Sequence, residues 1–209
     1  MKKLLVFGLL PSVLLPFFTT QLVKTQEAPV LPIPTKWSKL SFPVESFQAY
    51  TSGFGWRWNH TDFHPGLDIA APYGSYIHNW LAGRAISVAQ DRRCGLHIII
   101  QSGRWQAIYC HMDGQITSSP QGNTLMLRQC GIQISEGQII STGAIIGRVG
   151  MTGRTTGPHL HFQLEHDTEL INPALVLKAM YLAERKQVIA AKVSGVSKGQ
   201  PLTVPLSPP

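Results

Sequence analysis

The chain has 209 residues, of which 44% are hydrophobic and 14% are charged. These values are typical of one globular domain with extensions, and they exclude an intrinsically disordered chain. Its 18 Lys and Arg outnumber 11 Asp and Glu, which gives a formal charge of +7. Since the basic residues form no single cluster and no nucleic-acid-reading motif accompanies them, we expect affinity for an anionic surface such as a bacterial envelope polymer, and no nucleic-acid partner.

The N-terminus has the layout of a secretory signal. Two lysines follow the initial methionine, and residues 4–18 are almost entirely apolar. The run is short for an ordinary membrane span and is interrupted by Pro11 and Pro16. We therefore predict that residues 1–20 are a signal peptide or an N-terminal anchor. The protein is then exported to the periplasm or cell envelope, either secreted or held at the membrane by this segment.

The rest of the chain is predicted to be mainly β. Residues 21–47 contain four prolines among polar residues and are predicted to be an extended linker. From residue 48, short β-rich runs alternate with glycines, which predicts an antiparallel sheet in a sandwich-like or barrel-like domain over residues 48–178. The runs cover residues 53–56, 76–77, 85–88, 97–100, 105–109, 138–140, 145–149 and 159–164. Ser102-Gly103 is predicted to form a tight hairpin turn between two of them.

Two segments depart from this rhythm. Residues 114–135 are polar, fit the strand pattern poorly and are predicted to be a surface insertion that Cys130 ties down. Asn172-Pro173 provides an N-cap followed by proline at the first helical position, which predicts one short C-terminal helix over residues 174–186. We expect residues 179–209 to be the end of this helix and then a loose tail, which begins near Ala190.

The chain contains three cysteines, Cys94, Cys110 and Cys130. In an exported protein an odd number indicates one disulfide and one remaining thiol. No C-x-x-C spacing occurs, so we expect no thiolate zinc site. The sequence alone does not decide which two cysteines pair.

A pair of histidines lies in the last predicted strand. His159 and His161 are two positions apart, so an extended chain places both side chains on one face, where they can reach one small centre. Two unrelated histidines on a solvated face would show the same spacing. Further ligands elsewhere in the chain favour a metal site instead.

His64 and Asp68 are those further ligands. They lie four positions apart around Pro65-Gly66, which hinders a helical turn, so a loop that enters a strand must bring them together. A hydrolytic zinc ion takes three protein ligands from His and Asp or Glu and keeps one position open. His64, Asp68 and one histidine of the pair complete this set, and the other histidine is then free to act as an acid or base.

Three separated motifs in this order resemble the M23 (lysostaphin/LytM-type) zinc metallopeptidases, which hydrolyse the peptide parts of bacterial peptidoglycan. They are His64-x-x-x-Asp68, Tyr109-Cys110-His111, and Gly150-Met151-Thr152-Gly153-Arg154-Thr155-Thr156-Gly157-Pro158-His159-Leu160-His161-Phe162. The resemblance covers roughly residues 53–175. It implies an M23-type β domain, a Zn²⁺ cofactor and a peptidoglycan peptide as the substrate.

The resemblance also implies a role for each site residue. His64, Asp68 and His161 become the zinc ligands, and His111 and His159 become the catalytic histidines. The residue before the second catalytic histidine is often small in the family, whereas here it is Cys110. This departure favours a free buried thiol at Cys110 and a disulfide between Cys94 and Cys130.

Two alternatives to an enzyme fit the five site residues less well. A catalytically silent relative that binds the wall and activates another hydrolase usually lacks one or more of the five site residues, and all five are present here. A plain wall-binding module would not need them. The other histidines, His60, His78, His97 and His166, match no site position and are predicted to be exposed or structural.

Overall fold

The computed structural model describes residues 40–57, 60–128 and 131–193. As predicted, this part of the chain is mainly β, with antiparallel strands and one helix. The elements are β1 (Ala49–Ser52), β2 (Gly55–Trp56), β3 (Phe63–His64), β4 (Leu67–Ala70), β5 (Tyr76–His78), β6 (Gly83–Asp91), β7 (Gly95–Ser102), β8 (Trp105–Cys110), β9 (Gln115–Ser119), β10 (Gly122–Leu127), β11 (Ile132–Ser135), β12 (Ile139–Ile140), β13 (Ile145–Arg148), β14 (His159–His166), β15 (Glu169–Ile171) and α1 (Pro173–Val193).

The main sheet has eight strands, with the order β1-β4-β14-β8-β7-β6-β12 and with β15 paired to β14. Strand β14 therefore lies between β4 and β8. In this register His161 pairs with Asp68 on one side and with Cys110 on the other. The centre of the sheet thus brings three separated segments of the chain side by side.

One face of β14 forms part of the hydrophobic core. Leu160, Phe162 and Leu164 alternate with the two histidines and are completely buried. The ring of Tyr109 lies 5.4 Å from the ring of Phe162, and that of Trp80 lies 6.4 Å from it. Since side chains alternate along a strand, this burial places His159 and His161 on the opposite face.

A buried polar network supports strand β8 from the core side. The Tyr109 hydroxyl accepts a hydrogen bond of 2.8 Å from the Trp80 amide and donates one of 3.2 Å to Asn79. The Asn79 amide donates in turn to the carbonyls of Ile140 and Ser141. Buried polar groups cost free energy unless they are paired, so this network fixes the position of the strand end that leads to His111.

The insertion predicted over residues 114–135 does not depart from the strand pattern as expected. Strands β9, β10 and β11 form a three-stranded antiparallel sheet there. Leu125, Leu127 and Ile134 are buried, while most of the other side chains are polar. So few apolar residues give a weak periodicity, and pairing with neighbouring strands decides the structure. Cys130, which was expected to tie this segment down, lies outside the described residues.

The C-terminal helix begins as predicted but is longer. Asn172 Oδ1 accepts a hydrogen bond of 3.0 Å from the Ala174 amide, and Pro173 is the first helical residue. The helix continues to Val193, so the first residues of the expected loose tail, 190–193, are helical. The remainder of that tail lies outside the described residues.

The end of the predicted linker belongs to the packed domain. Leu40 and Val44 are only 5% and 4% exposed, and Val44 forms an isolated bridge with Ile77. The predicted signal or anchor at residues 1–20 lies outside the described residues. Within the described ranges, no helix is long and apolar enough to cross a membrane.

Candidate active site

Three of the predicted site residues converge on one point. His64 Nε2 lies 3.0 Å from Asp68 Oδ1 and 3.0 Å from His161 Nδ1, and His161 Nδ1 lies 2.8 Å from Asp68 Oδ1. His64 ends β3, Asp68 lies in β4, and His161 lies in β14 beside it. One ligand atom from each residue therefore faces a common centre, and these residues form a group of metal-ligating type.

The protonation of His64 fits a cation at this centre. Its Nδ1 lies 2.7 Å from the Gly53 carbonyl, to which only a protonated nitrogen can donate. A neutral His64 then has a lone pair on Nε2, which faces the carboxylate of Asp68 and a ring nitrogen of His161. Two acceptors at 3.0 Å repel each other unless a proton or a cation lies between them. The carbonyl of Gly53 thus orients the ring of His64 with Nε2 towards Asp68 and His161.

Asp68 is held in its charged form. Burial by itself raises the pKa of this carboxyl group, but the adjacent imidazoles of His161 and His64 outweigh burial and bring the pKa well below its ordinary value. Its side chain is 17% exposed, so the carboxylate is only partly shielded from solvent. An ionised carboxylate with two imidazole nitrogens is a donor set that zinc accepts.

Gly66 allows the close approach of His161. A Cβ atom at residue 66 would lie 2.7 Å from Cε1 and Nε2 of His161, and 2.7 Å from the carbonyl oxygen of Phe162. Real Cβ atoms do not come so close, so any side chain at this position would push the His161 ring or the β14 backbone away. A glycine is therefore required between His64 and Asp68.

His159 lies beside the three converging residues. Its Nδ1 donates a hydrogen bond of 2.9 Å to the Gly157 carbonyl and is 3.2 Å from Thr155 Oγ1. Its Nε2 lies 3.7 Å from Asp68 Oδ1. With the proton held on Nδ1, the lone pair of neutral His159 is on Nε2, on the side of the centre.

His111 completes the group of histidines. Its ring centroid is 4.6 Å from that of His159 and 6.1 Å from that of His161. Its Nδ1 donates a hydrogen bond of 2.8 Å to the Thr152 carbonyl, so the lone pair of the neutral ring is on Nε2. Burial lowers the pKa of His111, which favours the neutral ring at pH 7.

The backbone of His111 is strained. Its φ of 61° lies in the left-handed region, which costs a residue other than glycine about 1–3 kcal/mol. The side chain of His111 is 6% exposed and follows directly after the end of β8 at Cys110. This conformation turns the imidazole out of the strand direction and towards His159.

The predicted cysteine pairing is wrong. Cys110 forms a disulfide with Cys94, with 5.0 Å between the Cα atoms, so it is not a free thiol and Cys94 does not pair with Cys130. The two residues are 16 positions apart in the sequence. The tertiary structure brings the turn between β6 and β7 next to the end of β8, a proximity that sequence spacing does not show.

The other histidines lie away from the centre, as predicted. His60 is exposed, while His78 is bonded to the Gly143 carbonyl and to Glu45. His97 is bonded to the Gly95 carbonyl, and His166 packs on the ring of Trp105. Each is accounted for by solvent or by a local structural partner.

The family comparison agrees with the arrangement of these residues. The model of peptidase family M23 matches residues 62–173, which include all five predicted site positions. The chain belongs to peptidase family M23.

One curated M23 relative is the peptidoglycan DD-endopeptidase ShyB of Vibrio cholerae serotype O1, which is 28% identical over 130 residues. The match covers 59% of this chain and 26% of that relative, so the chain corresponds to about a quarter of its length. A second relative, the DD-carboxypeptidase/endopeptidase Mpg of Neisseria meningitidis serogroup B, is 28% identical over 171 residues, covering 74% of this chain and 35% of the relative.

A solved structure with the same fold is that of a zinc-containing peptidase from Vibrio cholerae. It is 25% identical, with a TM-score of 0.52, and the match covers 64% of this chain and 39% of that one. This likeness agrees with the β architecture described above.

Several residues that shape this M23 site were not recognised from the sequence. The Gly53 carbonyl orients His64, the Thr152 carbonyl orients His111, and Gly66 makes room for His161. Two of these groups are backbone carbonyls, which any residue type provides, so residue identity carries no signal. Gly66 does carry a signal, since it stands between His64 and Asp68, but its effect on His161 depends on the pairing of β4 with β14.

Replacing Gly66 by alanine is expected to weaken metal binding by about 10- to 100-fold, the usual effect of disturbing a group that orients a ligand. The reason is the crowding of His161. Zinc affinity of the purified variant, measured by competition with a chromogenic chelator, checks this result.

The matched control is Gly103→Ala. Unlike Gly66, Gly103 has open space around it, and its φ of 63° means that alanine there strains the backbone; it lies at the opposite end of β8 from His111. This variant should lose some stability and keep its zinc affinity. Equal zinc affinities in the two variants would contradict the role given to Gly66.

Proposed function

We propose that this protein is a zinc-dependent endopeptidase that hydrolyses peptide bonds in bacterial peptidoglycan. The observation that carries the proposal is the convergence of His64 Nε2, Asp68 Oδ1 and His161 Nδ1 within 3.0 Å of one another, with two further histidines beside them. Membership of family M23 and a relative named as a peptidoglycan DD-endopeptidase support the reaction class.

His64, Asp68 and His161 are assigned as the zinc ligands. They fit the ion because one carboxylate and two imidazoles face the same point and the Nδ1 proton of His64 is engaged elsewhere. A zinc ion bound there would supply a Lewis acid for the scissile carbonyl and make water acidic enough to ionise near neutral pH. The remaining two histidines, His111 and His159, are then the protein groups that transfer protons.

His111 and His159 are assigned to proton transfer and charge stabilisation. Each holds its Nδ1 proton against a backbone carbonyl and so presents Nε2 to the site. A neutral ring in this orientation can accept a proton from the attacking water at Nε2 and pass it to the leaving amine. The protonated ring can stabilise the developing oxyanion. The low pKa of His111 suits proton acceptance at neutral pH.

The named relatives and the sequence support the proposed substrate and location. A formal charge of +7 favours binding to an anionic wall polymer. The basic and apolar N-terminal segment supports export, with residues 1–20 as a signal or anchor, residues 21–47 as a linker whose end packs on the domain, and the peptidase domain from residue 48. An exported protein of this kind would meet the peptides of the cell wall, which are the proposed substrate.

The test combines metal analysis with digestion of purified peptidoglycan. The protein is expected to bind about one zinc ion per chain and to release peptide fragments that mass spectrometry identifies, which also reveals the bond that is cut. Chelation should stop the release, and added zinc should restore it. Zinc binding and wall binding without any released fragment would contradict catalysis and indicate a silent wall-binding activator.

A further inference from the structure

The turn between β6 and β7 contacts His111, the residue that follows β8. The Asp91 carboxylate accepts hydrogen bonds of 2.7 Å and 2.6 Å from the amides of Arg93 and Cys94, which shapes the turn. The carbonyl of Cys94 accepts a hydrogen bond of 2.8 Å from the amide of His111. A catalytic histidine thus takes its backbone support from a turn on another hairpin.

His111 is held by two loops at once. Besides its bond to Cys94, its carbonyl accepts a hydrogen bond of 2.9 Å from the Gly150 amide, and its ring donates to the Thr152 carbonyl. These bonds hold the residue at a φ of 61°, which β-strand pairing cannot maintain because the strand ends at Cys110. The orientation of the imidazole therefore depends on the two loops staying in place.

The same two loops are bonded to each other. Thr152 Oγ1 accepts a hydrogen bond of 2.8 Å from the Leu96 amide and donates one of 2.9 Å to the Met112 carbonyl. The Arg154 amide donates a bond of 3.0 Å to the Arg93 carbonyl. Movement of the turn at residues 91–95 would therefore displace the Thr152 carbonyl, which accepts the hydrogen bond from the His111 ring.

The disulfide is the covalent link within this assembly. It joins Cys94, in the turn, to Cys110, the residue directly before His111. Cys110 is 3% exposed, while Cys94 is half-buried. The bond adds a covalent limit to the distance between the turn and the backbone of His111, which the hydrogen bond from the His111 amide to the Cys94 carbonyl also spans.

The metal ligands depend on other contacts. Asp68 and His161 pair across β4 and β14, and His64 is fixed by the Gly53 carbonyl. His161 is the cross-strand partner of Cys110, and β14 also pairs with β8 at five further registered positions that do not involve the disulfide. Loss of the disulfide should therefore disturb His111 and leave the three ligands together.

We propose that the Cys94–Cys110 disulfide is a positioning cross-link for His111, so that full turnover requires the oxidised form of the protein. The inference rests on the proposed function, in which His111 transfers a proton. Reduction of the bond takes two electrons and two protons and converts the disulfide into two thiols. A dithiol reductant can supply both and become a disulfide itself. The enzyme would then work at full rate only in an oxidising compartment.

The experiment compares two variants of the zinc-loaded full chain. Cys130→Ala keeps the disulfide and serves as the control, and Cys94→Ala/Cys110→Ala/Cys130→Ala lacks it. The triple variant is expected to keep its zinc and its KM while kcat falls about 10- to 100-fold, because a displacement of about 1 Å of a catalytic group costs that much. Equal kcat values with only a lower melting temperature would overturn the proposal.

Hydrogen exchange provides a readout that does not depend on activity. The amide of His111 should exchange faster in the triple variant, because its acceptor on Cys94 is no longer held, while amides of residues 159–166 should be unchanged. Unchanged exchange at His111 would contradict the proposal, and so would loss of zinc, which would place the effect on His161 instead.

Reduction of the folded control protein keeps the proposal testable if the triple variant does not fold. A phosphine reductant converts the disulfide into two thiols, taking the oxygen of one water molecule while the thiols take its protons. Turnover should fall on reduction and return when oxidised glutathione restores the bond by thiol–disulfide exchange. Unchanged turnover of the fully reduced protein would overturn the proposal. A wild-type protein with no turnover at all would instead contradict the proposed function.

Discussion

Replacing His161 by alanine is expected to abolish zinc binding and hydrolysis together. His161 Nδ1 lies 2.8 Å from Asp68 Oδ1 and 3.0 Å from His64 Nε2, so its loss removes one of three ligand atoms. Zinc content should fall from about one ion per chain towards zero. The rate should fall by about 1,000-fold or more, since the ion supplies several kcal/mol of transition-state stabilisation.

Asp68→Asn tests the same site with a smaller change in side-chain shape than His161→Ala. It keeps the size of the side chain and removes the negative charge that the neighbouring imidazoles of His161 and His64 stabilise. We expect the same loss of zinc, which metal analysis after dialysis against a weak chelator measures. His60→Ala is the matched control, since His60 lies four residues before His64 and is exposed. Retention of zinc and full activity by Asp68→Asn would contradict the assignment of the metal site.

Replacing His111 or His159 by alanine is expected to leave zinc binding intact and to lower kcat by about 100- to 10,000-fold, the range of general acid–base catalysis. Neither ring provides one of the three converging atoms, but both present Nε2 beside them. Kinetics on a defined peptidoglycan peptide, with zinc content measured on the same samples, separates this outcome from loss of the metal.

The double variant tests whether the two histidines act as a unit. Their ring centroids are 4.6 Å apart, so the loss of both should cost little more than the loss of one if they serve the same proton transfer. His166→Ala is the control, because it removes a histidine from the far end of β14, where the ring packs on Trp105. Full activity of His111→Ala would contradict the role given to that residue.

Strand periodicity was the reliable part of the prediction from sequence. The two-residue spacing of His159 and His161 predicted a shared face, and the complete burial of Leu160 and Phe162 on the other face confirms it. The N-cap at Asn172 could likewise be predicted from the sequence, because the capping hydrogen bond joins residues only two positions apart. Both inferences depend on local geometry, which a short stretch of sequence specifies.

The strands within residues 114–135 were not predicted, because their structure depends on long-range pairing and not on local geometry. Strands β9 to β11 contain few apolar residues, so their pairing with one another and the burial of Leu125 and Ile134 decide their structure. The wrong cysteine pairing has the same origin. Neither the spacing of 16 residues nor the departure at Cys110 shows that the β6–β7 turn meets the end of β8.

Short motifs were enough to list the residues of the candidate site, namely the His-x-His strand, the His64 and Asp68 pair, and His111. Their positions relative to one another depend on the fold. Asp68 and His161 are 93 residues apart and are neighbours because β4 pairs with β14. The Gly53 and Thr152 carbonyls, the space at Gly66 and the Cys94–Cys110 bond also depend on that folding. Long-range register is a cooperative property of the whole sheet, whereas periodicity and motifs are properties of short segments, so the residues could be named from the sequence and their arrangement could not.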